Sequence, residues 1–305
     1  MDIYYCDEFI LPLPEGHRFP MAKYSLLRQR VAVSELAERH RLSVPPPATD
    51  ADLLRAHDRD YLERVKNGTL ADAEVRRIGF PWSPGLVARS RRSVGGTIAA
   101  SRSALAEGLA VNLAGGTHHA FANRGEGFCV FNDAAVATRA MQAEGRAERI
   151  VILDCDVHQG NGTAAIFADD PTVFTFSIHG ANNFPFHKVA GDLDIALPDA
   201  TGGADYLEAL EAGLDEALPA ASADLAIYLA GADPYENDRY GKLALSAADL
   251  AERDRLVLDR CRAAGLPVAI VMSGGYATEI SDIVAIQFQT VRTGADYWEL
   301  WRSGV

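Results

Sequence analysis

Four groups of polar residues in this 305-residue chain have side chains that could perform acid–base or metal chemistry, and each follows a short apolar run. Imidazoles exchange protons near neutral pH. Two carboxylates and an imidazole suit a divalent metal with an open position, and a phenol can donate to a developing oxyanion. Together they predict a metal-dependent hydrolase site. The groups are His118-His119, Asp156 with His158, Asp233 and Tyr276.

Strands and helices alternate along the chain, which predicts an α/β fold with a mostly parallel central sheet and helices on both faces. We expect a single domain over residues 1–305. The carboxyl ends of parallel strands lie at one edge of a sheet, so the four polar groups are expected to converge there. Strands are predicted at 2–6, 110–114, 150–153, 172–177, 225–231 and 268–272, and helices at 21–40, 50–57, 60–65, 83–107, 132–144, 204–218 and 247–264.

Two segments are predicted to be irregular. Residues 76–84 are typical of a loop with exposed aromatic side chains, and residues 180–198 are typical of a long loop. The last polar group, at Tyr276, closes the predicted series of strands and helices.

The charge composition limits which ligands this chain is expected to bind. The formal net charge of −13 disfavours nucleic acid as a direct ligand, because phosphate binding needs a basic face. The charge is compatible with cationic substrates such as lysine-rich tails or polyamines, and it also favours solubility. No apolar run approaches the ~18 residues of a membrane span. The oligomeric state is not predicted.

The cysteines are scattered without Cys-x-x-Cys spacing, which predicts reduced thiols in a cytoplasmic protein. Cys129 and Cys155 are expected to be buried and structural, because no thiolate-stabilising cation adjoins them in the sequence. The other two are Cys6 and Cys261.

Five motifs resemble, in the same order along the chain, the signature blocks of the histone deacetylase family, and the similarity spans roughly residues 17 to 290. The His-Gln-Gly-Asn and Ser-Gly-Gly-Tyr forms are most similar to the class IV branch and its bacterial relatives. The motifs are Gly115-Gly116-Thr117-His118-His119-Ala120, Gly127-Phe128-Cys129, Asp154-Cys155-Asp156-Val157-His158-Gln159-Gly160-Asn161-Gly162, Asp238-Arg239-Tyr240-Gly241 and Ser273-Gly274-Gly275-Tyr276.

The resemblance implies an arginase–deacetylase fold and zinc-dependent removal of acetyl or longer acyl groups from the ε-amine of lysine or a related amine. It implies zinc ligation by Asp156, His158 and Asp233, where Fe(II) or Co(II) are further options. It also implies a structural potassium ion, bound largely through main-chain carbonyls. The residues implied for potassium are Asp154, Asp156, His158, Ser177 and Ile178.

The resemblance also implies the catalytic roles. His119 would be the general base and acid, with His118 as its electrostatic partner. Asp154 matches the acid that orients the first histidine, and Asn161 stands where many relatives have an Asp that orients the second. Tyr276 would polarise the scissile carbonyl.

By the same resemblance, Phe128 and Phe184 match the aromatic walls of an acyl-lysine tunnel. Gly127 and Gly275 are also expected at the substrate. Tyr240 stands where many relatives have Leu or Met and where polyamine deacetylases are thought to have an acid, so its phenol would narrow the mouth or bind a polar group.

The loop at residues 79–82 contains none of the acids with which relatives grip the substrate backbone, so the sequence does not predict such a grip there. Two other functions remain open. A small-molecule or polyamine deacetylase is one, and a non-catalytic acyl-lysine-binding module is another. A binuclear ureohydrolase is disfavoured, because Gly160 and Gly231 occupy the places where that site needs carboxylates. Class IV similarity favours longer acyl chains.

Overall fold

The core of the molecule is one eight-stranded sheet, and the computed structural model describes residues 1–6 and 11–303. The strands are β1 (Asp2–Tyr4), β2 (Arg41–Ser43), β3 (Leu109–Asn112), β4 (Ile150–Asp154), β5 (Val173–Gly180), β6 (Leu193–Leu197), β7 (Leu225–Leu229) and β8 (Val268–Val271). Their order across the sheet is β2-β1-β3-β8-β7-β4-β5-β6. Within the described ranges every neighbouring pair is parallel, which confirms the predicted class of sheet.

Helices cover both faces of the sheet. Among residues 1–6 and 11–303, none of them is both long and apolar enough to cross a membrane. The helices are α1 (Lys23–Ala32), α2 (Leu36–Arg39), α3 (Asp50–Leu53), α4 (Arg59–Asn67), α5 (Asp72–Ile78), α6 (Pro84–Glu107), α7 (Asp133–Ala143), α8 (Asn161–Phe167), α9 (Gly203–Ala221), α10 (Ala247–Ala263) and α11 (Ile280–Ser303).

The central strands are apolar throughout because both of their faces are buried. In β4, Val151 and Leu153 pack into one hydrophobic core, while Ile150 and Ile152 pack into the other. A strand that contributes alternate side chains to two cores has no polar face, which is typical of parallel sheets between helices. These strands therefore fix the positions of the polar residues that follow them.

The single helix predicted at residues 21–40 was wrong, because the chain breaks between α1 and α2. The Ser34 hydroxyl donates to the Val31 carbonyl at 2.8 Å and accepts from the Leu36 N–H at 3.3 Å. A serine that bonds neighbouring backbone groups in this way competes with the helical hydrogen bonds and starts a new helix.

The prediction for residues 76–84 was also wrong in part. Helix α5 continues to Ile78, and Phe80 is only 1% exposed. Its ring packs against Phe19 and Phe128, with centroid distances of 5.0 and 5.2 Å. The loop is therefore anchored in the core by an aromatic cluster instead of presenting that cluster to solvent.

Strands β2 and β6 and helix α11 were not predicted. Strand β2 is only three residues long, and strand β6 lies within the predicted loop 180–198. Both are the outermost strands of the sheet, where one edge is unpaired and the burial pattern is weak. Helix α11 follows the last predicted group and packs on α1 and α10.

His57 is a buried histidine that connects the start of α4 to the segment leading into α7. Its Nδ1 donates to the Phe121 carbonyl at 3.0 Å, and its Nε2 accepts from the Asn132 N–H at 2.9 Å. Only a neutral imidazole with its proton on Nδ1 satisfies both bonds. Burial lowers the pKa of His57 from 6.5 to about 4.

The free energy of unfolding is expected to decrease as the pH falls from about 6.5 to about 4, by up to about 3 kcal/mol from His57. In that range the unfolded chain binds a proton at His57 and the folded chain does not. The variant His57→Gln retains one donor and one acceptor without this titration, so its pH dependence should be shallower. Urea unfolding at about pH 7.5, 5.5 and 4.5 measures both slopes. Equal slopes would contradict this assignment.

Candidate active site

The four polar groups follow β3, β8, β7 and β4, which are adjacent in the middle of the sheet. Asp156, His158 and Asp233 meet there, with one potential ligand atom from each lying within 4.8 Å of the others. His158 Nδ1 lies 2.9 Å from Asp156 Oδ1 and 3.3 Å from Asp233 Oδ2. The predicted convergence of strand ends therefore brings together two carboxylates and one imidazole.

The negative charge of this cluster is only partly compensated by its neighbours. Asp233 Oδ2 is buried and accepts no hydrogen bond from residues 1–6 or 11–303. Burial and the adjacent Asp156 raise the pKa of Asp233 to about 7. Burial alone would lower the pKa of His158, but the carboxylates of Asp156 and Asp233 outweigh it and raise that pKa to about 10. A divalent cation would supply the charge, and one nitrogen with two oxygens is a suitable donor set for zinc or a similar metal.

Glycines leave the space in which these ligands approach each other. A Cβ at Gly274 would lie 1.8 Å from Asp233 Oδ2, and one at Gly231 would lie 2.9 Å from both Asp156 Oδ2 and Asp233 Oδ1. A Cβ at Gly160 would lie 2.5 Å from Asp154 Oδ2. The carboxylates that a binuclear ureohydrolase needs at positions 160 and 231 would not fit this arrangement.

His118 and His119 lie side by side, with ring centroids 4.1 Å apart. His118 Nδ1 contacts Asp154 Oδ2 at 2.6 Å. Burial tends to lower the pKa of His118, but Asp154 and then Asp156 outweigh it and raise the pKa to about 9. Burial and then the charge on His118 hold the pKa of His119 well below its usual value. The pair thus combines a charged imidazole with a neutral one.

Asn161 orients the neutral imidazole. Its Oδ1 lies 2.8 Å from His119 Nδ1, which fits a proton on Nδ1 and a lone pair on Nε2. The amide Nδ2 of Asn161 points the other way, 3.5 Å from Glu126 Oε1. Asn161 is the first residue of α8, so the helix fixes its position.

Asp133, for which no role was predicted, binds the backbone of the loop before the two histidines. Asp133 is fully buried and accepts hydrogen bonds from the N–H groups of Gly116 and Thr117 at 3.1 and 2.6 Å, and from the Thr97 hydroxyl. The only sequence signal was an Asp next to the Asn132 helix cap, at the start of α7.

Tyr276 is held in a similar way. Its N–H donates to Asp238 Oδ2 at 2.6 Å, while Asp238 Oδ1 accepts from the N–H groups of Tyr240 and Gly241 at 2.8 and 2.9 Å. Burial, with the charges of Asp233 and Asp156, holds the pKa of Tyr276 well above its usual value. The phenol therefore keeps its proton and remains a donor. Asp238 lay inside a quoted motif, but no role was predicted for it.

A cavity of about 680 Å³ opens from these residues to the surface. The predicted substrate residues Gly127, Phe128, Phe184 and Tyr240 line it together with His119, His158 and Tyr276. The fifth predicted residue, Gly275, lines neither this cavity nor the inner one. Its carbonyl accepts a hydrogen bond from the fully buried Lys23 at 3.3 Å.

A smaller inner cavity, of about 40 Å³, lies behind the histidines. Tyr24, Arg89 and Cys129 are among the residues that line it. As predicted, Cys129 and Cys155 are buried, and burial raises the pKa of each thiol.

Several of the residues predicted for potassium are neighbours near the ends of β4 and β5, where the Asp156 N–H donates to Asp154 Oδ1 at 3.1 Å. Asp154 pairs with Ser177 across β4 and β5, and both line a cavity of about 10 Å³. The Ser177 hydroxyl is hydrogen-bonded to His179 Nδ1 at 2.9 Å.

Comparison with known proteins identifies the family. The model of the histone deacetylase domain matches residues 17–291. The chain belongs to the histone deacetylase family. It is 48% identical to an uncharacterized protein of Picosynechococcus, covering 92% of this chain and 94% of the relative. It is 33% identical to the histone deacetylase-like amidohydrolase of Pseudomonas aeruginosa, covering 87% of this chain and 74% of that one.

The fold agrees with this membership. This chain superimposes on the crystal structure of an HDAC homolog complexed with SAHA with a TM-score of 0.83. The sequence identity is 25%, and the match covers 96% of this chain and 83% of the other. The predicted arginase–deacetylase fold is therefore confirmed.

The variant Gly274→Ala is expected to weaken binding of a divalent metal, tested with zinc, by at least roughly 10–100-fold, because the new Cβ would displace the Asp233 carboxylate. Zinc affinity by competition with a chelating dye is the measurement. Gly202→Ala is the matched control, since its Cβ would meet no atom within 4 Å among residues 1–6 and 11–303, apart from its two chain neighbours. Circular dichroism of both variants shows whether they are folded. Wild-type affinity in folded Gly274→Ala would show that zinc binds elsewhere.

Proposed function

We propose that this chain is a metal-dependent amidohydrolase that removes acyl groups from the ε-amine of lysine. The observation that carries the proposal is the cluster of Asp156, His158 and Asp233, which lies beside a neutral imidazole at the inner end of an aromatic-lined cavity. Family membership supports the reaction class. Zinc is the proposed metal, with Fe(II) or Co(II) as further options.

A bound divalent metal would supply Lewis acidity for polarising a carbonyl and lowering the pKa of water. His119 accepts a proton from the attacking water at Nε2, because its Nδ1 is already bonded to Asn161. It then returns this proton to the leaving amine. His118 remains charged beside Asp154 and so stabilises the negative charge that develops in the transition state.

Tyr276 donates a hydrogen bond from its hydroxyl to the developing oxyanion. Its raised pKa keeps the phenol protonated, and Asp238 fixes its backbone. Phe128 and Phe184 lie in the same cavity and give an alkyl chain an apolar path to the reacting centre. We also propose the class IV assignment, a potassium ion at Asp154 and Ser177, and a cytoplasmic location.

The inner cavity favours acetyl over long acyl groups. Its volume is only about 40 Å³, compared with about 680 Å³ for the outer cavity. An octanoyl or myristoyl chain would need further space. Polyamine deacetylation is the second candidate, and it is disfavoured by Tyr240, which lines the mouth where an acid would bind a distant cation.

Tyr276→Phe is expected to lower kcat for an acetyl-lysine peptide by about 100–1000-fold, because the oxyanion loses a donor. The zinc-loaded enzyme is assayed with lysine peptides carrying acetyl, octanoyl or myristoyl and with acetylspermidine. Tyr297→Phe is the matched control. Tyr297 lies beside Leu109 and Val268 at the amino ends of β3 and β8, whereas the site lies beyond the carboxyl ends of these strands.

Turnover in the order acetyl, octanoyl, myristoyl would support the short-acyl proposal. The reverse order would contradict it. Unchanged turnover in Tyr276→Phe would show that another group donates to the oxyanion. No turnover of any substrate at full metal occupancy would favour the non-catalytic binding module.

A further inference from the structure

The mouth of the 680 Å³ cavity is positively charged, although the whole chain carries a net charge of −13. Arg18, Arg77 and Lys242 line it, and Glu126 is the one carboxylate among its described lining residues. The three cations come from the segment before α1, from α5 and from the segment after β7. A reversal of charge at one opening is therefore a local feature that the overall composition conceals.

These cations are available to a ligand. Arg18 and Arg77 are exposed, and neither forms an ion pair within residues 1–6 and 11–303. Lys242 Nζ lies 3.7 Å from Asp199, but both side chains are about half exposed and such pairs are weak. Glu126 is already engaged, 3.9 Å from Arg124 and 3.5 Å from Asn161.

An exposed aromatic side chain accompanies the charges. Phe186 also lines the mouth and is 82% exposed, beside Phe184 at a centroid distance of 6.3 Å. Large apolar side chains at an opening of this kind are suited to contact a bound partner. We define the rim as Arg18, Arg77, Phe186 and Lys242.

We infer that the rim binds an acidic peptide segment around the acylated lysine, so that the preferred substrates carry Asp or Glu next to that lysine. This inference rests on the proposed amidohydrolase function and adds its substrate class. Cations from three separate segments, together with an exposed phenyl ring, suit a stretch of polypeptide better than one small carboxylate. Lysine-rich tails and polyamines, which the net charge alone allowed, would be repelled at this opening.

The test uses three acetyl-lysine peptides that differ only in flanking residues, which are Glu, Gln or Lys. The small anionic comparison is Nα,Nε-diacetyl-lysine, in which the α-carboxylate is the only charged group. The value of kcat/KM is measured on the zinc-loaded enzyme at about 20 mM and about 300 mM salt. Binding of the same peptides is measured separately by fluorescence anisotropy. The acidic peptide should exceed the basic one by roughly tenfold at low salt, and the ratio should shrink at high salt.

Arg18→Gln and Arg77→Gln should each lower the acidic-to-basic ratio by about threefold. Arg262→Gln is the matched control. It removes the same charge beside Leu109 and Val268, at the amino ends of β3 and β8 and away from the rim. Its ratio should equal that of the wild type. An equal decrease in Arg262→Gln would show an effect of net charge and would overturn the role of the rim.

The two proposals fail in different ways. Equal turnover of all three peptides would overturn the rim inference and leave the amidohydrolase intact. Charge-selective binding without turnover would overturn the amidohydrolase and retain the rim. Faster turnover of Nα,Nε-diacetyl-lysine than of the acidic peptide would overturn a peptide as the occupant. Neither binding nor turnover would overturn both.

Discussion

Buried negative charge at the centre of the sheet is the constraint on which the site depends. Asp154, Asp156 and Asp233 are almost completely buried within a few residues of the ends of β4 and β7. Buried carboxylates are costly unless cations and hydrogen-bond donors compensate them. His118 and His158 supply part of this compensation, while Asp233 Oδ2 accepts no hydrogen bond in the part of the chain that the structure describes. The negative charge that remains uncompensated makes the cluster suited to a divalent metal.

The loops around the cluster are held by carboxylates that take no part in the proposed reaction. Asp133 binds the amides before the histidines, and Asp238 binds the amide of Tyr276. Each anchors a catalytic loop through its backbone, so the side chains of that loop arrive in a fixed position. Arg253 acts on the strands in the same way, since its Nη1 donates to the carbonyls of Cys155 and Gly231, next to two metal-ligand candidates.

The sequence predicted the strands that carry the site because both of their faces are buried, which leaves uninterrupted apolar runs. Polar groups directly after those runs could then be assigned to one edge of a parallel sheet. The outermost strands β2 and β6 escaped prediction because they are short or only partly buried. Phe80 was assigned to the surface because its aromatic partners, such as Phe19, are distant in sequence.

The roles of Asp133 and Asp238 were not predictable for a related reason. Each bonds backbone amides, and any residue type provides an amide, so no pattern of side chains marks the partners. The positive charge at the mouth of the outer cavity was also not predictable from the sequence. Its cations come from three separate segments, and the net charge of the chain has the opposite sign. Such features depend on the tertiary structure.

The most direct test of the central claim is anomalous X-ray diffraction at the zinc edge from crystals of the zinc-loaded protein. We expect a single strong peak within bonding distance of Asp156, His158 and Asp233, and none between Gly160 and Gly231. A peak at another position, or a second peak beside the first, would contradict a mononuclear site that compensates this buried charge.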